Sequence, residues 1–231
     1  MTKAFKAILL LVLFITTSNL SFGQKEFSIN DGSKTYSVLI TVAKCESNEC
    51  SGEGTVVLYD KSSNIIFQTI KSEDLYFFHE GLLSPAVNVI EIYGGQSPLI
   101  FDDFNFDGSE DLAVRNGNNG SYGGPSYDIY LLNAATKQFE INSKFTELAS
   151  VNLGMFDTDR EKKRIITFNK SGCCRHITTE YEVLNNNLIK VYELEEDAAV
   201  DSGYVTVIEH KLTKGVWYVS TKKSKIEDYY K

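Results

Sequence analysis

Oxygen-bearing side chains alternate along an acidic run between residues 101 and 112, a glycine follows them, and one more aspartate closes the run. Calcium takes about six to eight oxygen ligands, and alternate side chains on a tightly turned loop converge on one point. Gly108 stands at the sixth place, where the loop must turn sharply. The run therefore predicts a calcium loop. Its candidate ligands, with Ser109 contributing its backbone carbonyl, are Asp103, Asn105, Asp107, Ser109 and Asp111.

The loop departs from an EF-hand at its twelfth place, where Val114 replaces the bidentate glutamate. Its flanks, at 97–101 and 111–114, have strand-like sequences, as in the aspartate-rich loops of extracellular β proteins. The alternative is an acidic β-turn without an ion, because Asp, Asn and Gly are common turn residues. Repulsion among three carboxylates favours calcium. The small number of ligands predicts a structural ion with a dissociation constant of about 10⁻⁴ to 10⁻³ M.

A second stretch, residues 116–126, follows after one short strand and contains no apolar aliphatic residue. Its Asn, Gly, Ser and Tyr residues are typical of binding loops, which combine adaptable hydrogen bonds with an aromatic anchor. An ion in the preceding loop would hold its base rigid. The alternative is a long flexible hairpin connection. The candidate partner-binding residues are Asn116, Asn118, Asn119, Ser121, Tyr122 and Ser126.

Catalytic patterns are weak in this sequence. Its three histidines, His79, His176 and His210, form no HExxH motif, and no GxSxG elbow occurs. The adjacent carboxylates of Asp102 and Asp103 are better explained by an ion. We therefore predict a protein that is not an enzyme and has no catalytic residues.

The four cysteines are Cys45, Cys50, Cys173 and Cys174, and they indicate disulfides in an exported chain. Cys45 and Cys50 enclose four residues and could be joined across a hairpin. A bond between the adjacent pair would close a strained eight-membered ring, which two cross-links between the pairs would avoid. All three connectivities stay open.

The first 23 residues have the pattern of a signal peptide, with Lys3 and Lys6 ahead of an apolar core at residues 7–15. That core is too short to cross a bilayer. Without the leader, residues 24–231 carry 21 basic and 31 acidic side chains, a net charge of −10. This charge disfavours nucleic acid and anionic lipid and favours a basic protein partner.

Hydrophobic and polar residues alternate with period two along most of the mature chain, as in strands with one buried face. One predicted strand spans 86–93, and residues 185–187 form a predicted hairpin turn. Residues 144–151 form the one predicted short helix. The calcium motif occurs once rather than once per blade, which disfavours a propeller. We expect an all-β protein, an antiparallel β-sandwich with one short helix and a calcium loop, as a single domain over 24–231.

The order of these features resembles exported bacterial proteins related to periplasmic lysozyme inhibitors. The likeness covers roughly Leu99 to Leu194: the DxNxDGxxDL run, the Gly/Asn/Ser loop, the aromatic strand 127–133 and the later hairpins. It implies a β-sandwich whose protruding loop plugs the lysozyme cleft, with Ser121 and Tyr122 hydrogen-bonding the catalytic carboxyls. Such inhibitors often carry Ser-Gly-x-x-Tyr, whereas this chain has Gly-Ser-Tyr-Gly from residue 120.

The predicted function is binding and inhibition of a cell-wall glycoside hydrolase of the lysozyme type by an exported calcium-binding protein, periplasmic or secreted. The expected partner is a basic protein such as a lysozyme or a related glycohydrolase, with neither nucleic acid nor a membrane anchor involved. The alternative is a calcium-stabilised carbohydrate- or cell-surface-binding module without inhibitory activity.

Overall fold

The fold is seen in a computed structural model that describes residues 24–81, 83–92 and 95–231. The proposed signal peptide, residues 1–23, lies outside the described residues. The helices of the described part are α1 Ser143–Val151 and α2 Ile226–Tyr229, and a 3₁₀ turn spans Ser121–Gly123. Its strands are β1 Lys25–Ile29, β2 Tyr36–Glu46, β3 Glu49–Asp60, β4 Ile66–Ser72, β5 Phe77–Phe78, β6 Leu99–Asp102, β7 Asp111–Arg115, β8 Tyr127–Asn133, β9 Gln138–Ile141, β10 Asp157–Asp159, β11 Arg164–Ser171, β12 Arg175–Leu184, β13 Asn187–Asp197, β14 Tyr204–Thr213 and β15 Val216–Lys225.

The strands form three antiparallel sheets in which neighbours in sequence are neighbours in space. The first sheet has the order β1-β2-β3-β4, with β5 paired to the first two residues of β3. The second has the order β6-β7-β8-β9, and the third runs from β10 to β15. The predicted all-β antiparallel class is confirmed.

The four-stranded sheet β6–β9 lies between two cores, because side chains alternate from one face of a strand to the other. On β7, Leu112 and Val114 belong to the core shared with the first sheet, whereas Ala113 belongs to the core shared with α1 and the third sheet. All five residues of β7 are buried. The sandwich therefore has three layers, and its middle layer is covered on both faces.

The helix α1 packs against β8 and closes the second core. Asn142 caps its first turn, because the side-chain oxygen accepts hydrogen bonds from the backbone N–H groups of Lys144 and Phe145. Phe145 and Leu148 are buried on its inner face. The predicted helix is confirmed, and it begins one residue earlier than expected.

The predicted strand over 86–93 is wrong in its described part, which forms only an isolated bridge between Ile90 and Gln96. The cause is Asn88, whose φ is +61°. Its side-chain amide donates to the Gly32 carbonyl at 2.7 Å, and its side-chain oxygen accepts the Phe101 N–H at 2.7 Å. These bonds tie a bent segment to β6 in place of a strand ladder.

The structure pairs Cys45 with Cys50 and Cys173 with Cys174. Cys45 and Cys50 stand opposite each other on β2 and β3, with Cα atoms 4.1 Å apart. Cross-links between the two pairs are not formed, because the first pair lies in the first sheet and the second at the turn between β11 and β12 in the third sheet.

Burial on both faces makes the middle sheet the most sensitive part of the fold. Leu112, which is fully buried on β7, should lose about 2–5 kcal/mol of unfolding free energy on substitution by alanine. The matched control is Val219→Ala on β15, where the side chain is 60% exposed, with an expected change within about 0.5 kcal/mol. Urea denaturation measures both, and equal losses would contradict the assignment of β7 to a shared core.

Candidate functional site

The acidic run forms the connection between β6 and β7. Asp102 and Asp111 are paired across the two strands, so residues 103–110 make a closed loop at the end of the sheet. The chain turns through left-handed backbone conformations at Phe106, with φ +59°, and at Gly108, with φ +91°. The glycine therefore occupies the conformation for which the sequence predicted it.

The predicted ligands in the first half of this loop are gathered on one turn by its backbone. The Asp103 carboxylate accepts the N–H groups of Asp107 at 3.0 Å and Gly108 at 2.8 Å. The Asn105 side-chain oxygen accepts the Asp107 N–H at 3.1 Å, and the Asp107 carboxylate accepts the Ser109 N–H at 2.7 Å. These are hard oxygen donors, and the set fits calcium, which Asp103, Asn105, Asp107 and the Ser109 carbonyl would hold.

Asp111, the last of the predicted ligands, binds backbone groups of the loop and of β8. Its carboxylate is fully buried, and each oxygen accepts a backbone N–H, from Phe104 at 2.9 Å and from Leu132 at 2.8 Å. It thereby fastens the loop to β8, and its Oδ2 also accepts the Asn105 N–H at 3.4 Å. Burial raises the pKa of Asp111 to about 7 despite these hydrogen bonds.

The loop is also tied to the third sheet. The Asn105 amide donates to the side-chain oxygen of Asn186, in the turn between β12 and β13, at 3.0 Å. Asp102 accepts the Thr158 hydroxyl at 2.6 Å and pairs with Arg160. The acidic run thus joins the middle layer to the third sheet through side-chain contacts.

The predicted binding loop, residues 116–126, is closed at its base by paired backbone hydrogen bonds. Asn116 N–H donates to the Ser126 carbonyl at 2.8 Å, and Ser126 N–H donates to the Gly117 carbonyl at 3.1 Å. Nearer the tip, Gly120 N–H donates to the Gly124 carbonyl at 3.0 Å. A Cβ at Gly120 would lie 2.5 Å from a backbone oxygen, so the close approach requires glycine. The loop is thus closed by backbone hydrogen bonds both at its base and near its tip.

Arg115, the last residue of β7, holds the first turn of the loop from inside. It is only 4% exposed, its Nε–H donates to the Gly117 carbonyl at 2.8 Å, and its Nη2 donates to the Asn118 side chain. The guanidinium lies between two aromatic rings, 5.4 Å from the centre of Tyr76 and 5.5 Å from that of Tyr127. Sequence analysis missed this residue. The available signal was a single arginine ending an apolar strand ahead of a loop rich in acceptors.

Tyr122 stands at the tip of the loop, with its side chain 65% exposed and its φ at +58°. Its hydroxyl oxygen accepts the Gly172 N–H at 2.8 Å, in the turn between β11 and β12. The Lys170 ammonium lies 5.0 Å from the ring centre. The ring is therefore exposed and fixed at the same time.

The six predicted partner-binding residues divide into two groups. Asn118, Asn119 and Tyr122 are exposed. The others serve the loop itself: Asn116 donates to Asp128 at 3.0 Å, Ser126 is 3% exposed, and the Ser121 hydroxyl donates to the Val151 carbonyl at 2.7 Å. Asn116 and Ser126 are thus corrected to supporting positions, and the surface consists of the exposed three.

The histidines lie on separate elements. His79 is buried after β5 and packs on Phe27, whereas His176 on β12 and His210 on β14 are separated by β13. His79 also lies near Cys45 and Cys50. Because those two cysteines are joined in a disulfide, they offer no thiolate to a metal.

Removing the Asp111 side chain should destabilise the fold whether or not calcium is present, because it leaves buried N–H groups of two elements without acceptors. Asp111→Ala should lower the unfolding free energy by about 2–5 kcal/mol in a chelator. Glu161→Ala, which removes an exposed carboxylate, is the control and should change little. Equal urea midpoints for the two variants would show that Asp111 does not fasten the loop.

No protein-family model matches the chain, and no curated protein matches it. Among solved structures, the chain is similar to the structure of a Xanthomonas type IV secretion system related protein. The superposition has a TM-score of 0.65 with 23% sequence identity, and it covers 85% of this chain and 93% of that one. At this identity the similarity shows the fold: the all-β architecture described above is shared with that protein.

Proposed function

We propose that this chain is an exported calcium-binding protein that binds and inhibits a lysozyme-like cell-wall glycoside hydrolase through its 116–126 loop. The observation that carries the proposal is Tyr122, an exposed aromatic side chain on a loop held by its own hydrogen bonds. A loop that is ordered before binding loses little conformational entropy on association. Rigid tyrosines supply large contact areas at low entropic cost.

The Tyr122 hydroxyl has chemistry suited to a glycosidase cleft. Its oxygen accepts the Gly172 N–H, and no acceptor among the described residues takes its proton. A retaining glycosidase presents one ionised and one protonated carboxyl across its cleft. The phenolic O–H can donate to the ionised carboxylate. The nearby Lys170 ammonium would add a favourable field for the same carboxylate.

The charge of the chain supports a basic enzyme as the partner. With residues 1–23 removed, 21 basic side chains face 31 acidic ones. Opposite net charges accelerate association and make it sensitive to salt. A basic hydrolase would be attracted over a distance, and the loop would then decide specificity at contact.

Calcium has a structural role in this proposal. Bound by Asp103, Asn105 and Asp107, the ion would supply positive charge that offsets the repulsion of the loop carboxylates. The five residues of β7 connect this loop directly to Arg115 and the 116–126 loop. An acidic loop fixed by the ion at the start of β7 would therefore help to keep the 116–126 loop fixed at the end of β7.

Export is supported by the cross-link between Cys45 and Cys50, because disulfides persist in oxidising compartments. Within the described ranges, the structure contains no helix long and apolar enough to span a membrane.

The calcium assignment predicts a stability gain that depends on Asp107. With a dissociation constant of about 10⁻⁴ to 10⁻³ M, 10 mM calcium should stabilise the native chain by about 1.4–2.7 kcal/mol. Asp107→Ala should lose this gain, whereas Glu161→Ala should keep it. Thermal unfolding with calcium and with a chelator measures the difference. If calcium stabilised Asp107→Ala as much as the native chain, the loop would be an ordinary acidic turn.

The inhibitor assignment predicts stoichiometric loss of activity when the mature chain is added to one of the C-, G- or I-type lysozymes acting on bacterial cell walls. Tyr122→Ala should weaken inhibition more than tenfold with only a small change in the melting temperature, because the side chain is 65% exposed and makes a single hydrogen bond within the described part of the chain, to the Gly172 N–H. Tyr122→Phe separates the contribution of the hydroxyl from that of the ring. Tyr218→Ala, which removes a tyrosine of 60% exposure on β15, is the control.

Two outcomes would count against this assignment. Full inhibition by Tyr122→Ala would show that the loop is not the contact surface. The absence of inhibition with all three lysozyme types would favour a surface-binding module, which a pull-down on purified peptidoglycan would detect.

A further inference from the structure

A cavity of about 350 Å³ lies between β5, residues 86–89 and 95–98, and the end of β7. Its walls are mostly apolar, with Phe77, Val89 and Pro98 among them. Arg115 lies in the same wall and is the one charged side chain among the described residues that line it. Ligand sites in proteins combine such an apolar lining with few polar groups, in cavities of about 300–1,000 Å³.

Arg115 is a buried cation without a carboxylate partner. None of the ion pairs among the described residues includes it. Its hydrogen bonds go to the neutral oxygens of Gly117, Asn118 and Tyr127. A buried charge is normally paired, because removing it from water is costly. The three acceptors satisfy some of its N–H groups but leave its charge without a counter-ion.

Neither of the nearby carboxylates, Glu49 and Asp74, forms an ion pair with Arg115 among the described residues. Burial and the carboxylates of Glu49 and Asp74 raise the pKa of Tyr76, whose ring covers the guanidinium. Asp74 accepts the Gly52 N–H at 2.8 Å. The cavity side of Arg115 is therefore the place where an anion would complete its pairing.

We propose that this cavity is a binding site for a small organic carboxylate with an apolar body. The guanidinium offers planar N–H donors that match a carboxylate. Phe77, Val89 and Pro98 would contact the apolar body. The chemistry excludes a cation, which Arg115 would repel, and disfavours a highly charged anion, because the remaining walls offer few donors.

The site is connected to the 116–126 loop through Arg115 itself. The guanidinium that would bind the ligand also holds the Gly117 carbonyl and the Asn118 side chain, and Pro125 of the same loop lines the cavity. A bound carboxylate would therefore change the surroundings of the Gly117 amide. This site is independent of any hydrolase, since it needs no contact from the loop tip.

The test uses the mature chain alone with benzoate as the probe and benzyl alcohol as its neutral counterpart, followed by ¹H–¹⁵N NMR titration. Benzoate should produce saturable shifts at Gly95, Gln96 and Gly117, and it should bind at least tenfold more tightly than benzyl alcohol. Arg115→Gln should weaken benzoate binding more than tenfold. Lys222→Ala, which removes a cation from exposed β15, should leave it unchanged.

A second variant separates loss of the site from loss of the fold. Ala86→Trp fills the cavity from its exposed rim and leaves Arg115 in place, and it should also abolish the benzoate shifts. Equal affinity for benzoate and benzyl alcohol, unchanged binding in both variants, or no saturable shift at the cavity would each overturn the proposal. Because no hydrolase is present, these outcomes are separate from those of the inhibition assay.

Discussion

The Asp111 carboxylate accepts backbone hydrogen bonds from two elements at once, the 103–110 loop at Phe104 and strand β8 at Leu132. Burying a carboxylate costs free energy, and burial accordingly raises the pKa of Asp111. The cost is offset because the two oxygens accept backbone N–H groups that would otherwise have no hydrogen-bond partner. The loop at the end of the middle sheet depends on this contact. Without it, the turn that gathers Asp103, Asn105 and Asp107 would be held at its base by the β6–β7 pairing but would lose its connection to β8.

Strand β7 carries a buried acid at its first residue and a buried base at its last. Asp111 fastens the loop before the strand, and Arg115 fastens the loop after it, about 14 Å further along. The residues between them are packed on both faces, so the strand can neither slide nor twist without disturbing two cores. The two loops are thereby held as parts of one rigid unit, which explains how an ion in the first would steady the second.

The sequence predicted features whose cause is local. Period-two alternation, the Asn-rich turn before β13, the helix α1 and Gly108 all follow from side-chain direction and backbone preference within a few residues. It could not predict features decided by distant contacts. The failed strand near Asn88 depends on Gly32 and Phe101, which are remote in sequence. Likewise, Ser126 and Asn116 have the composition of binding residues, but their hydrogen bonds inside the loop give them supporting positions.

The same distant contacts decide what kind of binding surface the loop presents. Residues 116–126 contain four glycines and no apolar aliphatic residue, a composition that by itself permits many conformations. Three contacts with residues outside the loop select one conformation. Arg115 binds the Gly117 carbonyl, the Ser121 hydroxyl donates to the Val151 carbonyl, and the Tyr122 hydroxyl accepts the Gly172 N–H. The entropy of ordering the loop is lost when the protein folds, so a partner that contacts Tyr122 does not lose it again. Gly120 is thus required by close backbone approach, and the loop is held in place by contacts with residues outside it in spite of its composition.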